Sequence, residues 1–277
     1  NRLDSGRARL YNQKGFSEGG ATMAGTGARS IKLNTDTGFL KIIAILTMFC
    51  DHIGAAFFPQ LPILRAIGRI SFPLFAYCIA VGCVYTKNAG RYALRILLLA
   101  LISQPIYCFA LSHASPAMRA IEAQPFTLAN ALTWYALSLQ YANILFTLLL
   151  GILMITSIKK QKYLVTAVLT LGVWYLSSSI NYGWRGVALM LLFYAFLDRP
   201  AASVVWVAGF MAWWGLAGGG SYHFMGVRFS SQLFALLALP LIYLPTRTNI
   251  KLPKWLFYLV YPAHLAVIYG VSQLLAK

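Results

Sequence analysis

Long apolar segments recur along almost the whole chain and are separated by short loops. They cover 39–58, 62–86, 92–112, 141–158, 162–180, 184–197, 201–217, 229–245 and 255–275. A straight helix needs about 20 apolar residues to cross a bilayer, and a helix satisfies its own backbone hydrogen bonds in lipid. The sequence therefore predicts an all-α fold, a polytopic integral membrane bundle of about nine transmembrane helices. Short segments such as 184–197 are expected to be tilted, broken or buried in the bundle.

Composition and charge agree with this class. The chain is 59% hydrophobic and only 10% charged, which is far from an ordinary soluble domain. A net charge of +17 would also suit nucleic acid. Most of the Lys and Arg residues, however, gather in short loops on one predicted side of the membrane, so we interpret them as a topology signal and expect no nucleic-acid partner. The positive-inside rule then predicts a cytoplasmic N-terminus.

Two regions are predicted. Residues 1–38 are polar, basic and rich in Gly and Ser, which indicates a flexible cytoplasmic segment, and 39–277 form the membrane domain. Within the first region, Met23 is a candidate natural start, with 1–22 as upstream sequence. The long loop 113–140 is expected to form an interfacial or lid segment. No metal site or disulfide is expected, because the cysteines lie inside apolar segments without ligand spacing.

The segment 40–58, LKIIAILTMFCDHIGAAFF, carries Asp51 and His52 side by side deep within it. An ionisable residue at this depth costs about 2.5–3.5 kcal/mol on insertion scales, so a functional site is its usual explanation. The alternative is a polar pair that holds helices together. Because adjacent helical residues point in different directions, we expect Asp51 to pair with Arg69 or Arg65 and His52 to face a cavity. For Arg65 itself, snorkelling to the outer interface is favoured over a role in the site.

The last apolar segment contains another histidine. His264 lies near the middle of 255–275, two residues after Pro262, which removes a helical hydrogen bond. A helix that is loosened and polar at one point is expected to line a cavity. The alternative is a structural histidine that donates to a neighbouring carbonyl.

Polar residues at the edges of other segments are further candidates. Asn143 would donate to a carbonyl oxygen in the site, and Arg185 would meet an anionic acceptor at the outer face. The alternative for either residue is that it only caps a helix. Asn181 and Tyr182 lie beside Arg185 in the sequence NYGWRG and complete a candidate substrate-binding group.

Several short motifs occur in order along the membrane part: the pair Asp51-His52, GRISFPLFA at 68–76, NILF at 143–146, YGWRG at 182–186 and YPAHLAV at 261–267. Together they resemble the TraX family. The resemblance implies a multi-pass protein of the bacterial inner membrane, related to the transmembrane acyltransferase superfamily. The named member of that family acetylates the N-terminus of a conjugative pilin, and the wider acyltransferase group takes its acyl groups from cytoplasmic acyl-CoA.

An acyltransferase needs a base, hydrogen-bond donors for the oxyanion and exclusion of water. Under this resemblance His52 is the predicted base, with Asp51 paired to arginine, and the candidate oxyanion donors are Arg69, Asn143 and His264. The cytoplasmic cations suited to the phosphates of acetyl-CoA are Lys87, Arg91, Arg95, Lys159 and Lys160, although charges in these loops also serve topology. Asn181, Tyr182 and Arg185 are predicted to bind the acceptor.

Alternatives remain open at this stage. The acceptor is either a pilin or an envelope glycan, because both need the same base and oxyanion donors. A proton-coupled transporter or flippase would use Asp51, His52, Arg69 and His264 as a relay across the bilayer. A membrane scaffold would need neither His52 nor Arg69.

Overall fold

The structure, a computed structural model, describes residues 31–217, 220, 222–224, 226–248, 250 and 253–275. Most of the predicted flexible segment 1–38, with Met23, therefore lies outside the described residues. The α-helices in the described part are α1 Thr37–Ala56, α2 Pro62–Gly68, α3 Ser71–Tyr85, α4 Ala89–Ala110, α5 Pro116–Glu122, α6 Leu128–Ser138, α7 Ile144–Lys159, α8 Tyr163–Tyr175, α9 Gly183–Ala195, α10 Pro200–Ala217, α11 Leu239–Tyr243 and α12 Lys254–Leu275.

The remaining elements are short. Strands β1 Tyr222–Phe224 and β2 Val227–Phe229 form a small antiparallel hairpin in which Tyr222 lies opposite Phe229. Single 3₁₀ turns follow α6 and α8, and a longer 3₁₀ helix, Ser231–Ala238, leads into α11. The described part of the chain is thus mostly helical, as the apolar segments predict.

The all-α membrane class is confirmed, but the count of about nine spans is not. Within the described residues, the helices long and apolar enough to cross a membrane are Thr37–Ala56, Pro62–Tyr85, Ala89–Ala110, Pro200–Ala217 and Trp255–Leu275. The other predicted segments correspond to shorter apolar helices at Ile144–Lys159, Tyr163–Ser178, Gly183–Ala195 and Ser231–Tyr243. Fewer than 18 residues rise too little to cross the hydrocarbon core as a straight helix. The cytoplasmic position of the N-terminus stays a prediction.

The predicted second span is interrupted near its N-terminal end. It is divided into α2 and α3 at Arg69 and Ile70, where the amide of Arg69 bonds the carbonyls of Arg65 and Ala66. Gly68, the last residue of α2, lies directly against Asp51 of α1, and a Cβ at this position would overlap the Asp51 side chain. The absence of that Cβ lets the two helices approach closely enough to place Arg69 beside the acid.

Helix α3 forms the centre of the bundle. It packs against α1, α7 and α9, and its side chains are apolar around almost the whole circumference. A helix that is hydrophobic on all sides is buried on all sides. Leu74 and Tyr77 are fully buried, and the Tyr77 hydroxyl donates to the carbonyl of Asn34 over 2.6 Å.

The outer surface is apolar where the bundle would meet lipid. On α8, Leu164 is 81% exposed and Tyr175 is 84% exposed. In water such a face would cost free energy, whereas in a bilayer its neighbours are acyl chains and interfacial headgroups.

The predicted lid 113–140 contains α5 and α6, joined by a 2.8 Å hydrogen bond from Trp134 Nε1 to Glu122 Oε1.

Candidate active site

A cavity of about 290 Å³ lies inside the bundle, between α1, the α2–α3 break, α4, α7 and α12. Most of its wall is apolar. The aspartate, histidine and arginine side chains that line it are Asp51, His52, Arg65, Arg69 and His113. The α1–α2 turn and the approach at Gly68 bring the first four of these residues to one side of the cavity.

Asp51 binds two arginines. Its Oδ1 accepts from Arg69 Nη2 over 2.7 Å, and its Oδ2 accepts from Arg65 Nη1 over 3.0 Å. The side chain of Asp51 is 15% exposed and that of Arg69 is 13% exposed, so this is a largely buried ion pair. One carboxylate cannot balance two guanidinium groups, and the cluster keeps an excess positive charge beside the cavity.

The orientation of Arg65 differs from the sequence interpretation. Snorkelling to the outer interface is wrong for this side chain, because its guanidinium turns inward and contacts both the carboxylate and the main-chain carbonyl of Asp51. The side chain is still 39% exposed. A carboxylate with two acceptor oxygens offers a second arginine better hydrogen bonds than the interface does.

His52 is held by His264 rather than by the neighbouring acid. Nδ1 of His52 lies 2.7 Å from Nε2 of His264, and the two rings are nearly parallel, with an interplanar angle of 8°. Nδ1 of His264 lies 2.8 Å from the carbonyl oxygen of Val260. His264 therefore bonds a carbonyl on its own helix, as the structural alternative expects, and it reaches the cavity only through its contact with His52.

These contacts fix the tautomers when both rings are neutral. The carbonyl of Val260 can only accept, so the proton of His264 lies on Nδ1 and its Nε2 accepts. Nδ1 of His52 must then donate to that Nε2. As a result the Nε2 of His52 carries a free lone pair, which is the arrangement that a general base requires.

Tyr182 and Asn181 also line the cavity. Tyr182 adopts a left-handed backbone conformation, with φ 62°, and its ring stacks on Phe72 at 4.1 Å. Its hydroxyl accepts a long hydrogen bond, 3.4 Å, from Arg69 Nη1. A strained backbone at a non-glycine residue is common in functional sites, where packing holds the strain in place.

Sequence reasoning missed several cavity residues, among them the titratable side chains of Tyr107, His113 and Tyr261. Tyr107 accepts a 2.8 Å hydrogen bond from Asn181 Nδ2, and His113 stacks on Tyr141. Burial, followed by the charge of Arg65, lowers the pKa of His113, which lies in the loop after α4. Tyr261 was the easiest to find, because it lies three residues before His264 in the YPAHLAV motif and so shares its helix face.

Three of the predicted catalytic and acceptor-binding residues do not line the cavity: Asn143, Arg185 and His264. Asn143 is fully buried, but its Nδ2 already donates to the carbonyl of Ala100 and to Oε1 of Gln104, each over 2.9 Å. The expectation that it donates to a reacting oxygen does not fit this geometry, whereas the helix-cap alternative does, since its Oδ1 accepts from the amide of Leu145. Arg185 lies over the ring of Trp213, with 5.2 Å from Cζ to the centroid, away from the cavity lining.

The predicted coenzyme A residues also lie apart from the cavity. They are exposed where α3 ends, α4 begins and α7 ends: Lys87, Arg91, Arg95, Lys159 and Lys160. Lys159 Nζ donates to the carbonyls of Cys83 and Val84, and so caps the C-terminus of α3. Among the described residues, no three His, Cys, Asp or Glu side chains are grouped as metal ligands would be.

The chain is similar in sequence to known bacterial proteins. A probable fimbrial assembly protein FimC, serogroup H1, of Dichelobacter nodosus is 25% identical over 262 residues, which cover 85% of this chain and 95% of that protein. An uncharacterized protein, RP591, of Rickettsia prowazekii strain Madrid E is 47% identical over 38 residues, or 14% of this chain and 15% of that protein. No solved structure matches the chain.

The family comparison covers the whole membrane part. The family described as "TraX protein" matches residues 36–272, a range that includes every cavity residue named above. The resemblance drawn from the short motifs is confirmed, and the chain belongs to the TraX family.

Proposed function

We propose that this protein is a membrane-embedded acyltransferase that moves an acetyl or other short acyl group from cytoplasmic acyl-CoA to an envelope acceptor, such as the N-terminal amine of a pilin. The observation that carries the proposal is His52, which faces the cavity with Nδ1 held by His264 at 2.7 Å and Nε2 free to take a proton. Family membership supports the same class, and the name of the Dichelobacter relative, a fimbrial assembly protein, suggests the acceptor.

The reaction needs no group beyond the two substrates and the protein. The acceptor nitrogen or oxygen attacks the thioester carbonyl carbon while Nε2 of His52 takes its proton. A C–N or C–O bond forms, the C–S bond breaks, and the leaving sulfur takes the proton back from His52. His264 acts as a positioning residue, because its Nε2 keeps accepting from Nδ1 of His52 while the imidazole is charged.

The charged cluster of Asp51, Arg65 and Arg69 supports this chemistry without taking the proton. Asp51 is engaged by two guanidinium groups, so it is not the partner that orients His52. The excess positive charge of the cluster favours the negative tetrahedral intermediate in a site with an apolar wall. Water would hydrolyse the thioester, and side chains such as Ile45, Met48 and Leu148 exclude it.

The shape of the cavity suits two substrates that enter from opposite sides. One end is lined by Phe257, near the start of α12, and the other by His113, just beyond the end of α4. Under the predicted topology these ends face the cytoplasm and the exterior. The volume of about 290 Å³ is at the low end for ligand sites, which favours a short acyl group.

The donor phosphates would be held outside this cavity. Lys41 lies beside the cavity residue Phe257, with Nζ 5.0 Å from the centroid of its ring. We propose that it meets the first phosphate of acyl-CoA and that the more distant basic residues, such as Lys87 and Arg91, bind the nucleotide part.

The test is acyl transfer by purified protein in nanodiscs, with radiolabelled acetyl-CoA and a synthetic peptide whose N-terminal amine is free. His52→Ala is expected to lower turnover by about 10²–10⁴-fold, which is the usual contribution of a general base. Arg119→Gln, an exposed change outside the cavity lining at a residue with no proposed role in binding, is the matched control and should keep the native rate. Coenzyme A binding, measured separately, should survive in both variants.

Other outcomes separate the alternatives. Equal turnover in native protein and His52→Ala would remove the proposed base. Transfer to a lipid-linked glycan, with none to the peptide, would keep the chemistry and change the acceptor. A proton flux in proteoliposomes that needs no acyl-CoA, together with no transfer, would favour the relay of Asp51, His52, Arg69 and His264 instead.

A further inference from the structure

We propose that the hydroxyl of Tyr261 and the N-terminus of α7 form the site that binds the reacting oxygen of the acyl group. This inference rests on the proposed acyl transfer and names the donors that would hold the thioester carbonyl oxygen as it gains negative charge. As a binding site it also accepts a small carboxylate, because the two oxygens carry the same kind of charge.

Tyr261 provides the first observation. It lies on α12, is only 5% exposed and lines the cavity. Within the part of the chain that the structure describes, its hydroxyl is buried without a hydrogen-bond partner. A buried hydroxyl without a partner is costly, and one that opens onto a cavity is explained by a ligand that completes the bond.

The N-terminus of α7 provides the second observation. Its first residues, Ile144 and Leu145, line the same cavity. The amide of Leu145 is taken by Asn143 Oδ1 and that of Phe146 by the Asn143 carbonyl. The amide of Ile144 has no acceptor within the helix, and it approaches the oxygen of the Tyr261 hydroxyl, whose own proton has no acceptor among the described residues.

Two donors therefore converge on one space. The partial positive charge at the N-terminus of a 16-residue helix adds to the attraction for an anionic oxygen. Tyr261 also places this space next to the base, because its ring meets that of His264 edge-on at 5.6 Å. If the thioester carbonyl oxygen were bound between the Ile144 amide and the Tyr261 hydroxyl, the carbonyl carbon of the acyl group would lie close to His52.

The residues expected to play this part from the sequence are already engaged. Arg69 donates to Asp51, to Tyr182 and to the carbonyl of Arg65. Asn143 has both of its amide protons bonded within the protein. A donor that must give up an existing bond gains less from the oxyanion than one that has no partner, so the neutral Tyr261 is the better candidate.

The first measurement is independent of turnover. Sodium acetate would be titrated against sodium chloride at constant ionic strength, and the unfolding midpoint followed by differential scanning fluorimetry in detergent. The native protein should be stabilised by acetate, and Tyr261→Phe should bind it at least ten-fold more weakly, because only the hydroxyl is removed. The variant should fold as well as the native protein without acetate, since the deleted hydroxyl has no partner.

Tyr77→Phe is the matched control. It removes another buried hydroxyl, but one that already donates to the carbonyl of Asn34 and lies outside the cavity lining. It should lower the unfolding midpoint and leave the acetate affinity unchanged. Equal acetate affinity in native protein and Tyr261→Phe, or no acetate binding by the native protein, would overturn the proposed site.

The second measurement links the site to catalysis. With acetyl-CoA and the amine peptide, Tyr261→Phe should lower kcat by about 10²-fold and leave KM nearly unchanged, as the loss of an oxyanion donor does. An unchanged kcat would overturn the catalytic role. Acetate binding that depends on Tyr261, in a native protein that does not turn over acetyl-CoA, would instead refute the proposed function and keep the site.

Discussion

Two buried polar groups of this protein behave very differently. The charged cluster of Asp51, Arg65 and Arg69 lines the cavity and keeps an excess positive charge. The amide cluster of Gln104 and Asn143 lies between α4 and α7, with both side chains fully buried. Gln104 Nε2 donates to the carbonyl of Ser138 over 2.7 Å, and its Oε1 accepts from Asn143.

The two clusters differ in whether all of their hydrogen-bonding groups have partners inside the protein. The amide cluster is closed, because its donors meet acceptors inside the protein, and it holds the ends of α4, α6 and α7 together. The charged cluster is open on the side of the cavity and can act on a substrate. Both look alike in the sequence, as a polar residue within or beside an apolar segment, and both would be candidate sites by that criterion alone.

The largest expected effect comes from removing the acid of the charged cluster. Asp51→Asn leaves Arg69 largely buried without a counter-charge, and this should lower the free energy of unfolding by about 3 kcal/mol. His52→Ala removes a hydrogen bond but no charge, so it should cost less. Reversible unfolding in mixed detergent micelles would compare the two variants, and equal stability would contradict the importance of the ion pair.

A smaller effect is expected where α1 and α2 approach. Gly68→Ala places a Cβ against the Asp51 side chain, and forcing the helices apart should cost about 1–3 kcal/mol. Gly172→Ala is the control, because a Cβ there meets nothing within 4 Å. Alanine is also the better helix former, so Gly172→Ala should be neutral or slightly stabilising. The same unfolding assay measures both, and a neutral Gly68→Ala would show that the approach tolerates spreading.

The amide cluster sharpens the comparison from the other side. Asn143→Ala removes a helix cap and a buried hydrogen bond, and should lower the free energy of unfolding by about 1–2 kcal/mol. The kcat of the folded fraction should stay within about two-fold of native, since Asn143 does not line the cavity. A large fall in kcat without a loss of stability would contradict this and indicate a catalytic role for Asn143.

The smallest effect concerns a third, exposed polar junction. Asp36 caps α1, and its Oδ2 accepts from both the amide and the hydroxyl of Thr248, each over 2.7 Å. Slight burial raises the pKa of Asp36, but the bonds from Thr248 outweigh it, so the pKa lies below its ordinary value. A carboxyl group whose pKa is lowered by folding stabilises the fold at pH values above its ordinary pKa. This stabilisation is lost as the pH falls.

The pH dependence of unfolding would check this junction. Below about pH 4 the native protein should lose stability more steeply than Asp36→Asn, which cannot titrate. Identical slopes for the two proteins would mean that the contact with Thr248 does not favour the ionised acid. The charged cluster, by contrast, should be unaffected by this substitution.

By itself, the sequence determined the membrane class and the family. Every apolar segment that it marked contains a helix, because helix formation and apolar burial depend on residues that are near one another in the chain. It also indicated that Asp51 would meet an arginine of the next segment, since a short turn makes the two helices neighbours. Motif order was enough to identify the TraX family.

Only the tertiary structure decided which polar residues are free to act. His52 and His264 are 212 positions apart, and their contact depends on how α1 and α12 pack. The inward turn of Arg65, the closed bonds of Asn143 and the unpartnered hydroxyl of Tyr261 likewise depend on neighbours that are distant in the chain. Residue type and spacing specify a helix and its apolar face, whereas saturation of a hydrogen-bonding group is a property of the assembled bundle.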